Sequence, residues 1–378
     1  MLNKIFSFRQ QSINYQREIS GGIINFLASA YIIVLNPMIL HSGGHAFPLA
    51  PSITATLIAI IIMTILASFL IKLPFILAPG LGINAIVSYT LVLHDKLPIV
   101  TVLGVIFWSS LIMFILSITP LRKIIIDAIP KQLQISLSIG IGLFLIFIGL
   151  KNANILISNP NTLISMNLLD KEIGLCFFGF ILATLLFIRQ KFYAMILPII
   201  IVTLLSSLLG NTKLPKEILS LPDFSLFLQV DFWSSLKLSV IPAILSLFIV
   251  NFFDATSSVI GLLEQIEFEN KEDKEFYYKR ALASDGIGGI ISGLAGTAPS
   301  VIFIESSAGI QLGAKTGFAS IISAILFIPF LFLAPLISII PDSATSPILI
   351  LVCARPQRRL IKTRTLASNS DKSKGFKT

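Results

Sequence analysis

Residues 296–314, GTAPSVIFIESSAGIQLGA, place a single carboxylate in a stretch that is otherwise apolar, small or weakly polar. Gly296 and Pro299 are helix breakers, so the pattern predicts a short extended piece, VIFI, followed by a half-helix that starts near Glu305. A carboxylate beside such a backbone break is unusual, because its charge is costly to bury without a partner. The composition of the whole chain indicates in what kind of environment this carboxylate lies.

That composition is typical of a polytopic membrane protein. Of 378 residues, 55% are hydrophobic and only 12% are charged, whereas a soluble domain usually has about 25% charged residues. Apolar runs long enough to cross about 30 Å of hydrocarbon lie near 20–40, 52–73, 98–119, 133–150, 173–189, 192–209, 236–262 and 316–340. Shorter, broken runs lie near 76–92, 282–295 and 297–313. These elements predict an all-α chain, because lipid tolerates only internally hydrogen-bonded backbone.

The basic residues predict the orientation. With the N-terminus inside, 22 of the 28 Lys and Arg residues fall on the inner side and 6 on the outer side, so residues 1–19 are expected to be cytoplasmic and the chain to lie in the inner cell membrane. The net charge of +9 is thereby explained by topology, and no soluble domain is left to bind nucleic acid. Residues 264–280, EQIEFENKEDKEFYYKR, are expected to be a charged cytoplasmic loop.

A second break resembles the first. In APGLGINAIVSY, residues 78–89, Pro79 and Gly80 interrupt an apolar run just before Asn84. One broken segment in each half of a membrane protein is typical of transporters with inverted repeats, whose unwound backbone and half-helix N-termini form a site near the membrane midplane. The sequence shows no nucleotide-binding loop, catalytic triad or metal-ligand spacing, which argues against an ATP-driven pump, an intramembrane enzyme or a metal site.

Of the 19 acidic residues, only Asp254, Asp285 and Glu305 fall within apolar elements, and no Lys or Arg accompanies them. Such a carboxylate either becomes protonated or meets hydrogen-bond donors or a cation that come from outside the chain. A protonated acid that is hydrogen-bonded between helices is the structural alternative for each one alone. Three acids in neighbouring segments favour a functional site.

Five motifs together resemble a known family: GGIINFLASAYIIVLNPMIL (21–40), APGLGINAIVSYT (78–90), NFFDATSSVIGL (251–262), RALASDGIGGIISGLAGT (280–297) and IESSAGIQLGAKTG (304–317). They are similar to the adenine/guanine/hypoxanthine permeases of the nucleobase/ascorbate transporter superfamily, also called xanthine/uracil permeases. The resemblance implies seven-plus-seven inverted repeats, a core and a gate domain, and a short strand in each of the broken third and tenth elements. It also implies proton-coupled uptake of purine bases, with no cofactor.

The resemblance also implies site residues. By position, Glu305 matches the tenth-element glutamate, Asn84 the third-element asparagine, Asp254 the second acid of the eighth element and Asp285 the ninth-element acid. Asn251 stands where the family usually has the first eighth-element acid, and VIFIE replaces a common Thr-Thr-Tyr-Val-Glu. An ionised Glu305 can accept two purine N–H groups, and Asn84 can bond a carbonyl or ring nitrogen. Phe252, Phe253 or Phe303 can stack on the base, and Asn251 is also counted among the substrate-binding residues. Either Asp254 or Asp285 can carry the coupled proton, with Asp254 favoured as a substrate contact and Asp285 favoured for the proton.

The predicted domain order follows from the same match. We expect a cytoplasmic N-terminus (1–19), core parts at 20–120 and 236–340, a partial gate (121–235), an incomplete twelfth span (341–353) and a basic disordered tail (354–378). The last spans of the family pattern are expected to be missing, which leaves a non-transporting remnant as one alternative. A same-fold transporter of uracil, xanthine or another small planar or anionic solute is the other. The oligomeric state is open, a homodimer being one possibility.

Overall fold

The computed structural model describes residues 14–352, apart from 120–130, 161, 168–169, 211, 213–214, 216 and 269. The first half contains helices α1 (Tyr15–Ser29), α2 (Ile32–Ser42), α3 (Leu49–Leu70), α4 (Leu81–Ala85, continued by a π-helix Ile86–His94), α5 (Ile99–Ile118), α6 (Lys131–Asn152), α7 (Lys171–Ile188) and α8 (Ile196–Leu208). The second half contains α9 (Ile241–Leu263), α10 (Lys271–Ala295), α11 (Ser307–Gln311), α12 (Gly317–Phe327), α13 (Ala334–Ser338) and α14 (Asp342–Val352). The expected basic tail, 354–378, lies outside the described residues.

The helices have the length and polarity of a membrane protein. Within the described ranges, four helical spans are long and apolar enough to cross a bilayer: Tyr15–Ser42, Leu49–Leu70, Ile99–Ile118 and Ile241–Leu263. Six shorter apolar helices accompany them. The predicted span near 316–340 is divided, because Pro329 and Pro335 lack the N–H that helix continuation needs, and a 3₁₀ turn, Ile328–Phe332, separates α12 from α13.

Two short strands pair where the sequence predicts breaks. Strand β1 (Leu77–Pro79) is antiparallel to β4 (Ser300–Ile302), with Ala78 opposite Val301. All of their residues are buried. A second pair, β2 (Leu156–Asn159) with β3 (Leu163–Met166), forms a hairpin in the connection between α6 and α7 that the sequence analysis did not anticipate. The β1–β4 pair joins the two broken elements.

Helix α10 packs closely on α5 through a row of glycines. A methyl group at Gly286 would come within 2.7 Å of the Phe114 backbone, and one at Gly289 would overlap the Ser110 side chain. A methyl group at Gly293 would come within 3.2 Å of the Leu103 carbonyl oxygen. The spacing of three and four residues puts these glycines on one face of the helix, where small residues allow close approach. This contact supports β4, which follows α10 in the chain.

Helix α10 also corrects one expectation. Residues 264–280 were expected to form a loop, but α10 begins at Lys271. Its first turn carries Glu272 and Asp273, which are favourable at a helix N-terminus. Tyr277 is 3% exposed, so this charged segment contributes a side chain to the core. The helix therefore extends beyond the apolar run.

Helix α14 packs against the α6–α7 region. A methyl group at Gly149 of α6 would come within 2.8 Å of Ile350 Cγ1, and one at Gly179 of α7 within 3.2 Å of Pro347 Cγ. The expected twelfth element is thus helical from Asp342 to Val352 and has protein neighbours on both helices. In the other part of the molecule, Gly21 and Gly22 of α1 approach Ala314 and the Ala319 carbonyl at the start of α12.

Candidate substrate-binding site

The β1–β4 pair brings the two broken elements side by side. Gly80 N donates to the Pro299 carbonyl at 3.1 Å, and Phe303 N donates to the Ile76 carbonyl at 2.9 Å, so the pairing extends past both strands. Helix α4 begins immediately after Gly80, and a 3₁₀ turn, Ile304–Ser306, leads into α11. Two helical segments therefore start next to each other, at the ends of the paired strands.

Glu305 lies in that turn and is 6% exposed. Its Oε1 accepts a 2.8 Å hydrogen bond from the Tyr31 hydroxyl, and Tyr31 lies at the junction of α1 and α2. The Tyr31 and Phe303 rings are 6.3 Å apart at 34°, so both aromatic residues lie beside the carboxylate. Glu305 and Phe303, two predicted site residues, are thus neighbours in the structure.

Asp254 faces the same region from α9, which contacts β4, the Glu305 turn and α4. A methyl group at Gly80 would lie 3.4 Å from Asp254 Oδ2, an ordinary van der Waals contact, so the carboxylate lies beside the start of α4. Neither oxygen of Asp254 accepts a hydrogen bond from the described residues.

Asn84 lies one turn after Gly80 in α4 and is completely buried. Its Nδ2 donates to the Asn36 backbone carbonyl at 2.9 Å, and its Oδ1 has no hydrogen-bond partner among the described residues. Asn251 lies one turn before Asp254 and is also completely buried, with neither Oδ1 nor Nδ2 paired within the described chain. Buried polar groups are nearly always paired, so these amides are suited to receive a polar ligand.

Asp285 reaches β4 from α10. It is completely buried in α10, and its Oδ1 accepts a 2.7 Å hydrogen bond from Ile302 N, while Oδ2 has no partner among the described residues. The structure therefore brings Glu305, Asp254, Asn84 and Phe303 to the paired breaks, and places Asp285 where it holds the strand. No group of three His, Cys, Asp or Glu residues suitable for a metal occurs in the described ranges.

Sequence reasoning missed the contribution of the first apolar run. Three of its residues reach the site or its supports: Tyr31 bonds Glu305, Asn36 bonds Asn84, and Asn25 bridges the two breaks by accepting from Gly309 N and donating to the Pro74 carbonyl. Each is at most 1% exposed. These contacts could have been suspected from the hydrogen-bonding side chains in GGIINFLASAYIIVLNPMIL, because the rest of this segment is apolar or small, as in an ordinary membrane-spanning helix.

Comparison with known sequences shows the family. A model of the xanthine/uracil permease family matches residues 16–354. The chain belongs to this family. The permease is 35% identical to MJ0326 of Methanocaldococcus jannaschii over 94% of this chain and 82% of that protein. It is 32% identical to the adenine permease AdeP of Escherichia coli, over 93% of this chain and 79% of AdeP. It is 31% identical to the guanine/hypoxanthine permease PbuO of Bacillus subtilis, over 92% of this chain and 82% of PbuO.

Solved structures confirm the fold. The transmembrane domain of the cyanobacterial bicarbonate transporter BicA superimposes on the permease with a TM-score of 0.68 at 18% sequence identity, covering 92% of this chain and 90% of the BicA chain. The permease therefore has the architecture of a polytopic transporter membrane domain, as predicted. At this level of identity the similarity concerns the fold alone.

Proposed function

We propose that this permease carries purine nucleobases into the cell together with protons, from a site formed by Glu305, Asp254, Asn84, Asn251 and Phe303. The observation that carries the proposal is that Glu305, Asp254 and the unpaired Oδ1 of Asn84 lie on elements that meet at the paired backbone breaks, with the unpaired amide of Asn251 one turn from Asp254. The names of the relatives AdeP and PbuO, an adenine permease and a guanine/hypoxanthine permease, support a purine as the substrate.

The chemistry of the site suits a purine. Ring N–H and exocyclic amino groups are donors, and an ionised Glu305 accepts them as charge-assisted hydrogen bonds, which are stronger than neutral ones. The Asn251 amide can donate from Nδ2 to a carbonyl or ring nitrogen of the base. Its Oδ1 can accept from an N–H group of the base. Phe303 and Tyr31 offer aromatic faces beside the carboxylate, where a planar base can stack.

Asp254 is our preferred proton carrier. A carrier must exchange its proton with water as the protein opens to each side, so it needs a route to solvent and an uncommitted carboxylate. Asp254 is partly exposed and accepts no hydrogen bond from the described residues. Asp285 is completely buried and already holds Ile302 N, so it is better suited to positioning β4. The sequence analysis considers both acids as proton carriers and favours Asp285, whereas the contacts of the two carboxylates favour Asp254.

The proposal includes the orientation of the chain in the membrane and the assignment of its segments to a core and a gate domain. The distribution of Lys and Arg supports a cytoplasmic N-terminus in the inner cell membrane. Residues 20–120 and 236–340, which contain the site, form the moving core, and residues 121–235 contribute to the gate. The packing of α14 on α6 and α7 supports its assignment to the gate.

Uptake by the full chain tests the proposal directly. In a host without its own purine transporters, expression should produce saturable uptake of radiolabelled adenine, guanine or hypoxanthine, and a protonophore should abolish accumulation. Unlabelled uracil and xanthine serve as competitors, since they represent the alternative planar substrates. Absence of purine uptake by membrane-inserted protein would refute purine transport, and accumulation that ignores the protonophore would refute proton coupling.

A further inference from the structure

The orientation of the Asn84 amide follows from its partner. Nδ2 lies 2.9 Å from the backbone carbonyl of Asn36, and a carbonyl oxygen can only accept a hydrogen bond. The amino side of the amide must therefore point at Asn36, and Oδ1 must point away from it. That oxygen is buried and has no partner in the described part of the chain, so it is a fixed and unused acceptor.

The segment that holds Asn84 is itself fixed. The Thr56 hydroxyl donates to the Ser52 carbonyl at 2.6 Å, so its oxygen accepts the 2.7 Å hydrogen bond from Asn36 Nδ2. The same Nδ2 donates to Thr297 Oγ1 at 2.8 Å. Asn36 thereby ties α2 to α3 and to the segment between α10 and β4. Rotation of the Asn84 amide would break its bond to this rigid support and place two oxygens against each other.

The other unpaired side chains of the site are also mainly acceptors. The Asp254 carboxylate accepts no hydrogen bond from the described residues, and Asn251 Oδ1 is unpaired as well. Asn251 Nδ2 is the one unpaired donor among these three side chains. A ligand that fills the site must therefore supply several donors, since a buried acceptor without a partner is costly.

We infer that the site selects nucleobases that carry an exocyclic amino group, an inference that rests on the proposed purine transport. Adenine and guanine each carry an amino group in addition to ring N–H groups. Hypoxanthine is guanine without its amino group, and unsubstituted purine is adenine without its amino group. Each of these two bases leaves one or more of the acceptors Asn84 Oδ1, Asn251 Oδ1 and Asp254 unpaired. A site built to accept from a substrate N–H rejects the analogue that lacks it.

The two matched pairs of bases test the inference on the unmodified full chain. Binding of adenine, purine, guanine and hypoxanthine to purified protein in nanodiscs is measured by calorimetry or by competition with a radiolabelled base. We expect guanine to bind at least about tenfold more tightly than hypoxanthine, and adenine at least about tenfold more tightly than purine, because each amino group meets a buried acceptor.

Asn84→Ala identifies the acceptor. It should reduce the preference within at least one pair by about fivefold or more, because a hydrogen bond to a buried acceptor is lost. Asn270→Ala is the matched control, since Asn270 precedes α10 without a side-chain capping bond. If Asn84→Ala fails to fold, the comparison of bases on the unmodified chain decides alone. Equal affinity within both pairs overturns the inference and leaves purine transport standing. Failure of all four bases to bind overturns both.

Discussion

The Tyr31 hydroxyl donates a 2.8 Å hydrogen bond to Glu305 Oε1, across 274 residues of sequence. Tyr31 lies where α1 meets α2, and Glu305 lies in the turn that follows β4. The first span therefore controls the direction of the carboxylate at the tenth-element break, and the two positions should act together in binding.

Tyr31→Phe tests this coupling. Without the hydroxyl, Glu305 loses a partner that fixes its direction, and we expect purine binding to weaken by about 1–2 kcal/mol, or about 5–30-fold. Tyr15→Phe is the control, because Tyr15 is on the same span but 49% exposed. Calorimetry on purified protein measures both. An affinity that is unchanged or tighter in Tyr31→Phe would show that Glu305 does not need this support.

Glu305→Gln should weaken purine binding by about 1.5–3 kcal/mol, the contribution of a hydrogen bond to a charged group, without altering membrane insertion. Glu264→Gln, an exposed glutamate just after α9, should leave binding unchanged. The comparison uses the same binding assay with protein yield from membranes as the folding check. Equal affinity in the two variants would remove Glu305 from the site.

Asp254→Asn and Asp285→Asn should separate proton coupling from structure. We expect Asp254→Asn to abolish pH-driven accumulation in vesicles while sparing part of the exchange between labelled and unlabelled base. Asp285→Asn keeps an oxygen for Ile302 N and should retain pH-driven uptake. Accumulation that persists in Asp254→Asn and is lost in Asp285→Asn would assign the proton to Asp285 instead.

Asp285→Leu measures the positioning role separately. It leaves the Ile302 N–H without its acceptor in a buried position, at an expected cost of about 1–3 kcal/mol in the free energy of unfolding. In detergent, Asp285→Leu should have a lower midpoint temperature of thermal unfolding than Asp285→Asn. Equal stability of these two variants would argue against a role in holding β4.

Gly286→Ala should destabilise the contact between α10 and α5. Its methyl group would lie 2.6 Å from Phe114 Cα, where backbone cannot move aside cheaply, and overpacking of this kind typically costs about 1–3 kcal/mol. Gly140→Ala is the control, because a methyl group there meets nothing within 4 Å. Thermal unfolding of the detergent-solubilised protein compares them, and equal midpoints would contradict the close packing described above.

Local patterns were sufficient to predict much of the architecture. Pro299 and Gly296 break helix through their own backbone chemistry, so the extended piece and the turn at Glu305 could be expected from the sequence. The same holds for Pro79 and Gly80 before α4. Isolated carboxylates in apolar runs, such as Asp254, are rare enough to draw attention by themselves.

The features that the sequence did not predict depend mainly on contacts between distant segments. Nothing near Tyr31 in the sequence shows that its hydroxyl meets Glu305, and nothing near Asn36 shows that its carbonyl holds Asn84, because these pairings exist only after the spans pack. The start of α10 was misjudged because its charged first turns resemble a solvated loop. The fold of Lys271–Arg280 depends on tertiary burial, as at Tyr277, which composition does not reveal.

The pairing of Pro79 with Ser300 also constrains how the protein is made. About 220 residues separate the two strands, so at a synthesis rate of about 5–20 residues per second β1 leaves the ribosome roughly 10–45 seconds before its partner. During that interval the backbone hydrogen-bonding groups of Leu77–Pro79 lack their native partner within or beside a bilayer, where unpaired groups are costly. The nascent first half therefore needs water, lipid headgroups or a membrane insertase to shelter this edge until β4 arrives.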